Sequence, residues 1–180
     1  MENKPFIFGV ATSGDNFTDR KKETERLSLN FRNGVNTILI SPRRWGKTSL
    51  VQKVCSLTQS DKLKIVYLDI FSCRSDKDFC DAFASAVLKQ TSSKLEEWLE
   101  NVKLFLSRIR PKISMGTDPM TEFSISFEMN PQSNDIDEIL QLPEKIAQKK
   151  GYNIVVCIDE FQQIAEFQDS KTFQKRLRSI

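Results

Sequence analysis

Residues 35–50 read VNTILISPRRWGKTSL. An apolar run, Ile38-Leu39-Ile40, leads into a short polar loop that closes in Gly46-Lys47-Thr48. Leu50, Val51, Val54 and Leu57 follow at helical spacing. This order predicts a buried strand, a tight loop and a helix. Phosphate-binding loops follow the pattern G-x-x-x-x-G-K-[ST] at such a strand–helix junction. Ser41 stands where the first glycine of that pattern falls, and the other fixed positions are met.

The chemistry explains the residue types. Backbone N–H groups of a loop entering a helix converge on an anion, and the helix dipole adds favourable partial charge. Gly46 suits a close backbone approach or a positive φ. Lys47 supplies a point charge for the β- and γ-phosphates, and the Thr48 hydroxyl is the expected Mg²⁺ ligand. Arg43, Arg44, Trp45, Gly46, Lys47, Thr48 and Ser49 are therefore the candidate nucleotide-binding set. The competing reading is a Gly-Lys-Thr helix start that binds nothing.

Residues 153–160, NIVVCIDE, form a second motif. Ile154 to Ile158 reads as a strand buried on both faces, as in a parallel sheet. It ends in Asp159-Glu160, and carboxylates at the end of a buried strand are costly unless solvated or used. Ligands of open α/β sheets bind at the carboxyl ends of the strands. Asp159 fits a second Mg²⁺ ligand and Glu160 a catalytic base that orients the attacking water. A solvated acidic turn is the plainer alternative.

Taken together, SPRRWGKTSL and IVVCIDEFQQI resemble the P-loop ATPases of the AAA+ and signal-transduction type, above all the archaeal-type ATPase family. Its Walker A loop typically runs glycine-proline-arginine-arginine-x-glycine-lysine-threonine, and its Walker B strand runs into aspartate-glutamate-phenylalanine-glutamine. Pro42, Arg43 and Arg44, and then Asp159, Glu160, Phe161 and Gln162, keep those patterns; Ser41 departs from them. Similar proteins open with a phenylalanine, an arginine and a glutamate near the adenine, which Phe17, Arg20 and Glu23 match. The resemblance implies an α/β fold: a mainly parallel P-loop NTPase sheet with flanking helices. It implies ATP and Mg²⁺ as ligands, with Lys47 and Glu160 as catalytic residues. It also implies a further sensor strand, an arginine finger and a lid after Walker B. The expectation is thus an incomplete ATPase domain over residues 19–180, weak as a hydrolase, behind an irregular segment at 1–18. Homo-oligomerisation, and a DNA or protein partner reached through sequence beyond Ile180, stay open, as does a nucleotide-gated switch with little turnover. Arg176 and Arg178 are either solvent-facing or offered to a neighbouring subunit.

The rest of the chain fits one soluble domain. Its 180 residues are 39% hydrophobic and 28% charged, with net charge +3, which argues neither for nor against nucleic acid. No apolar run approaches a membrane span, and the first residues do not form a secretory signal. The four cysteines lack paired spacing and the chain has no histidine, which argues against zinc and for a reducing cytoplasm. Cys55 and Cys157 read as small core residues. A helix is expected from about Arg20 to Arg32, capped by Thr18 or Asp19 and stopped at Gly34. Ile65 to Ile70 predicts a strand whose Asp69 either lines the site or caps a turn. Helical patterns follow over residues 76–110, stopped by Pro111, with Arg108, Arg110 and Lys112 as a solvated helix end. Phe123, Ile125 and Phe127 alternate with polar residues, so a hairpin with Ile113 and Met115 is expected within an insertion at about 76–134. A helix broken at Pro143 and a last amphipathic segment bearing Phe167, Phe173 and Leu177 complete the prediction.

Overall fold

The computed structural model describes residues 20–92, 95–106, 110–115, 123–128 and 135–180. Phe17, the irregular segment at 1–18, the caps offered at Thr18 or Asp19, and the turn at 116–119 lie outside those residues. The chain falls into two compact units, Met1–Leu63 and Lys64–Ile180.

In the first unit, α1 (Lys21–Arg32) packs against α2 (Lys47–Thr58). Leu27 and Phe31 of α1, and Leu50 and Val54 of α2, are buried; of the same α2 set, Val51 is half-buried and Leu57 exposed, against the predicted face. α1 ends in a Schellman turn. The Val35 N–H donates to Asn30 O at 2.9 Å and the Gly34 N–H to Phe31 O at 3.5 Å, with Gly34 at φ 65°. The run Ile38-Leu39-Ile40 overturns an expectation. It forms no strand, and Ile38 and Ile40 are 85% and 91% exposed. A strand exists only through a ladder partner, and among the described residues no strand pairs with 35–40.

The second unit carries an α/β arrangement: a parallel sheet of β1 (Leu63–Asp69) and β4 (Asn153–Asp159) with flanking helices. β4 is half-buried along most of its length rather than buried on both faces. Its Ile154, Val156 and Ile158 pack on the core; Val155 and Cys157, on the alternate face, are also only half-buried. The core centres on α3 (Asp76–Thr91), whose Phe79, Cys80, Phe83, Ala84, Val87 and Leu88 are buried. The helical spacing of Phe79, Ala82, Phe83, Ala86 and Val87 predicts one buried face; it is present, with Ala82 and Ala86 partly buried, and is broadened to Cys80, Ala84 and Leu88 because elements pack on α3 from several sides. Ser75 caps α3 by accepting the Asp78 N–H at 3.1 Å, and Asp78 accepts the Arg74 N–H at 2.9 Å.

α4 (Leu95–Phe105) buries Trp98 fully. It ends well before Pro111, which instead lies within β2 (Arg110–Met115). β2 pairs antiparallel with β3 (Phe123–Glu128), Ile113 opposite Ile125 and Met115 opposite Phe123, so the predicted hairpin is present. Arg110 and Lys112 thus sit on a strand rather than a helix end, and Lys112 pairs with Glu128 at 2.5 Å. α5 (Asp135–Leu140) and α6 (Leu142–Lys150) are separated at Gln141, one residue before the helix that holds Pro143 in its first turn. A 3-10 helix (Phe161–Glu166) and α7 (Ser170–Arg178) follow β4, anchored by buried Ile164, Phe167 and Phe173. Arg176 donates to Asp137 at 2.9 Å, so it is tied within its own unit. Cys73 and Cys80, not Cys55 and Cys157, are the buried thiols, and burial pushes the Cys80 thiol well above its ordinary range.

One carboxylate joins the hairpin to this core. The buried Phe127 donates its N–H to Asp81 Oδ1 at 3.0 Å, and Lys77 Nζ donates to Asp81 Oδ2 at 2.6 Å. A helix side chain, not a strand, satisfies that N–H. Asp81→Ala leaves it without an acceptor and should cost about 1–3 kcal/mol, whereas Asp81→Asn keeps an acceptor and should cost less. Urea midpoints of the two variants check this; equal losses would refute it.

Candidate functional site

The loop before α2 has the shape its residues predict. Gly46 is the N-cap of α2 at φ 70°, ψ 29°, a left-handed conformation that glycine adopts without strain. No side chain caps the helix and no acid lies in its first turn, so its N-terminus suits an anion. Arg44 also has a positive φ, 67°, which strains a residue with a Cβ. Ser41 does not have a positive φ, so the missing first glycine imposes no conformational penalty there. The Lys47 ammonium donates to Ser41 O at 3.1 Å and Pro42 O at 3.4 Å, folded over the loop's own carbonyls. Arg43, Arg44 and Trp45 are exposed, Trp45 at 67%. Lys47 and Thr48 are half-buried, and the Ser49 side chain is buried, so Ser49 offers a ligand its backbone rather than its hydroxyl.

Sequence reasoning missed how Arg20 bears on this loop. Its Nη1 donates to Trp45 O at 2.9 Å and Gly46 O at 3.4 Å, while its Nε reaches Glu23 Oε1 at 3.4 Å. Arg20 and Trp45 are far apart in sequence, and no local pattern encodes a side chain-to-carbonyl contact at that separation.

The acidic strand end lies in the other unit. Both oxygens of Asp159 have donors: the Tyr67 hydroxyl donates to Oδ2 at 2.6 Å and the Glu160 N–H to Oδ1 at 2.9 Å. The carboxylate is thereby fixed in direction. Glu160 has φ 55°, left-handed like Arg44, and its Oε2 accepts from Gln162 Nε2. These are the only two non-glycine residues with positive φ among those described, and each sits in a candidate motif. Asp69, at the end of β1, accepts the Phe71 N–H at 2.9 Å, which is the turn-capping role. Tyr67 was not singled out by sequence; the pairing of β1 with β4 is what brings its phenol to Asp159. Tyr67→Phe removes one charge-assisted bond and should cost about 1.5–3 kcal/mol. Chemical denaturation of this variant, of Asp159→Ala and of the double variant checks it: their effects should add to less than the sum, since both remove the same contact.

Carboxylate and hydroxyl oxygens of the Asp159 and Thr48 kind suit Mg²⁺, a hard cation that keeps waters and takes most of its remaining ligands from phosphates. Among the described residues no group of three or more His, Cys, Asp or Glu forms a cage for a metal. A cavity of about 350 Å³ runs between β1 and α3, lined by Tyr67, Ser85, Lys89 and Gln90 among others. None of its lining residues belongs to the phosphate-loop set or to Asp159-Glu160.

Comparison with known families places these features in a common frame. Residues 17–180 match the model of the ATPase domain predominantly from Archaea, and the chain belongs to that family, with the P-loop fold. It is thus a P-loop ATPase domain, and nucleotide binding is the property the family confers. No curated protein and no solved structure matches it significantly. No helix among the described residues is long and apolar enough to cross a membrane.

Proposed function

We propose that this chain binds ATP through residues 43–49 and hydrolyses it with Mg²⁺, as an ATPase domain spanning residues 19–180. The observation that carries the reading is the left-handed Gly46 opening α2 directly before Lys47 and Thr48, in a chain of an ATPase family. The amides of the loop and the Lys47 ammonium hold the phosphates. The Thr48 hydroxyl and the Asp159 carboxylate would each offer Mg²⁺ an oxygen, and the ion would neutralise phosphate charge. Glu160 orients the attacking water and accepts its proton. Catalysis of this kind is mainly positioning and electrostatics, so the fixed direction of Asp159 supports its role.

Glu160→Gln tests the assignment. It should bind ATP within a few-fold of the parent while turnover falls by about 10²–10⁴, the usual worth of a positioned acid–base group. ATP affinity by calorimetry and phosphate release under single-turnover conditions give the two readouts. Unchanged phosphate release would remove Glu160 from the mechanism, and a chain that binds no ATP would defeat the proposal.

A further inference from the structure

The contact between Arg20 and the phosphate loop has a geometric consequence. A trans peptide holds its C=O and N–H pointing in opposite directions, and no cis peptide occurs among the described residues. Fixing the Trp45 carbonyl therefore fixes the N–H of Gly46, and fixing the Gly46 carbonyl fixes the N–H of Lys47. Those are two of the amides at the mouth of α2, where an anion would be cradled. Arg20 Nη1 holds both carbonyls, at 2.9 and 3.4 Å. The guanidinium is itself steadied by Glu23 one turn along α1. The approach is close: a Cβ built on Gly46 would lie 3.9 Å from the same Nη1.

We infer that Arg20 is a positioning residue for polyphosphate: it fixes the Trp45 carbonyl, and with it the Gly46 amide, and adds a second donor to the Gly46 carbonyl, which already accepts the Leu50 N–H at 3.0 Å. This rests on the ATP reading above but assigns Arg20 to the phosphates rather than to the base. A guanidinium suits the task because Nη1 carries two N–H donors for the neighbouring carbonyls while Nε, in the same plane, keeps its bond to Glu23. It also adds positive charge beside the loop.

The experiment compares ATP with inorganic tripolyphosphate, which has no base, both displacing a fluorescent ATP analogue from the full chain. Arg20→Ala should weaken both ligands by the same factor, about tenfold, equivalent to roughly 1.4 kcal/mol. Arg20→Lys should recover part of that loss, with thermal melting confirming that both variants fold. Hydrogen exchange in the ligand-free protein should rise across residues 43–48 in Arg20→Ala, which loss of a base contact would not produce. Weaker ATP binding with unchanged tripolyphosphate binding would mean that Arg20 reads the base and would overturn the inference. Unchanged binding of both ligands, while Lys47→Ala binds neither, would overturn it and leave the ATP reading standing. A parent chain that binds neither ligand would overturn both.

Discussion

With Lys47→Ala, the thermal stabilisation that ATP gives the parent chain is expected to all but disappear. A ligand present at a hundred times its Kd stabilises the folded state by about 2.7 kcal/mol. Removing the ammonium deletes the one fully charged loop group aimed at the β- and γ-phosphates in this motif. A hundredfold loss of affinity would reduce the same shift to about 0.4 kcal/mol. In the ligand-free chain Lys47 touches only two carbonyls of its own loop, at 3.1 and 3.4 Å. Those carbonyls can turn to water, so the variant's melting temperature without ATP should stay close to the parent's. The measurement is a pair of melting curves, with and without Mg²⁺–ATP, for each protein. A full ATP shift in Lys47→Ala would show that the loop does not hold phosphate.

Phe79→Ala should have the largest effect on stability. Phe79 is fully buried, stacks on Phe83 with ring centroids 5.6 Å apart, and meets Phe173 edge-on at 5.1 Å. Truncating such a ring costs about 3–5 kcal/mol, since the lost transfer energy is joined by that of the cavity left behind. Small domains have about 5–15 kcal/mol in total, so the second unit would lose a large share. α7 should loosen first, because Phe173 is its buried anchor. Urea unfolding should show a much lower midpoint with little change in slope. Phe79→Leu should recover most of the loss; a loss below about 1 kcal/mol for the alanine variant would contradict the packing described.

Much of this fold could be read locally. Leu27 and Phe31, the stop of α1 at Gly34, and the break near Pro143 each depend on residues a few positions apart, and the structure follows them. The hairpin was legible because Phe123, Ile125 and Phe127 alternate, and that period suits only a strand. Ile38-Leu39-Ile40 shows the opposite case: its composition is that of a buried strand, but a partner decides whether a strand forms, and composition cannot supply one. The broadening of the buried face of α3 has a similar cause, since the number of neighbours around a helix is a tertiary property. At the site, the motifs carried residue types and left out supports. Nothing in the sequence ties Tyr67 to Asp159, or Arg20 to Trp45, because those bonds depend on folding. The αL backbones of Arg44 and Glu160 were equally hidden, since only glycine advertises a positive φ.

Those two backbones bear on any effort to harden this chain against heat. Screens that reward melting temperature alone will favour glycine at positions 44 and 160, where it removes a steric conflict each time. At 160 the same exchange discards the carboxylate. Under the proposed role of Glu160, thermal selection and catalytic selection pull in opposite directions at that residue, so robustness is better sought in the exposed parts of the helices.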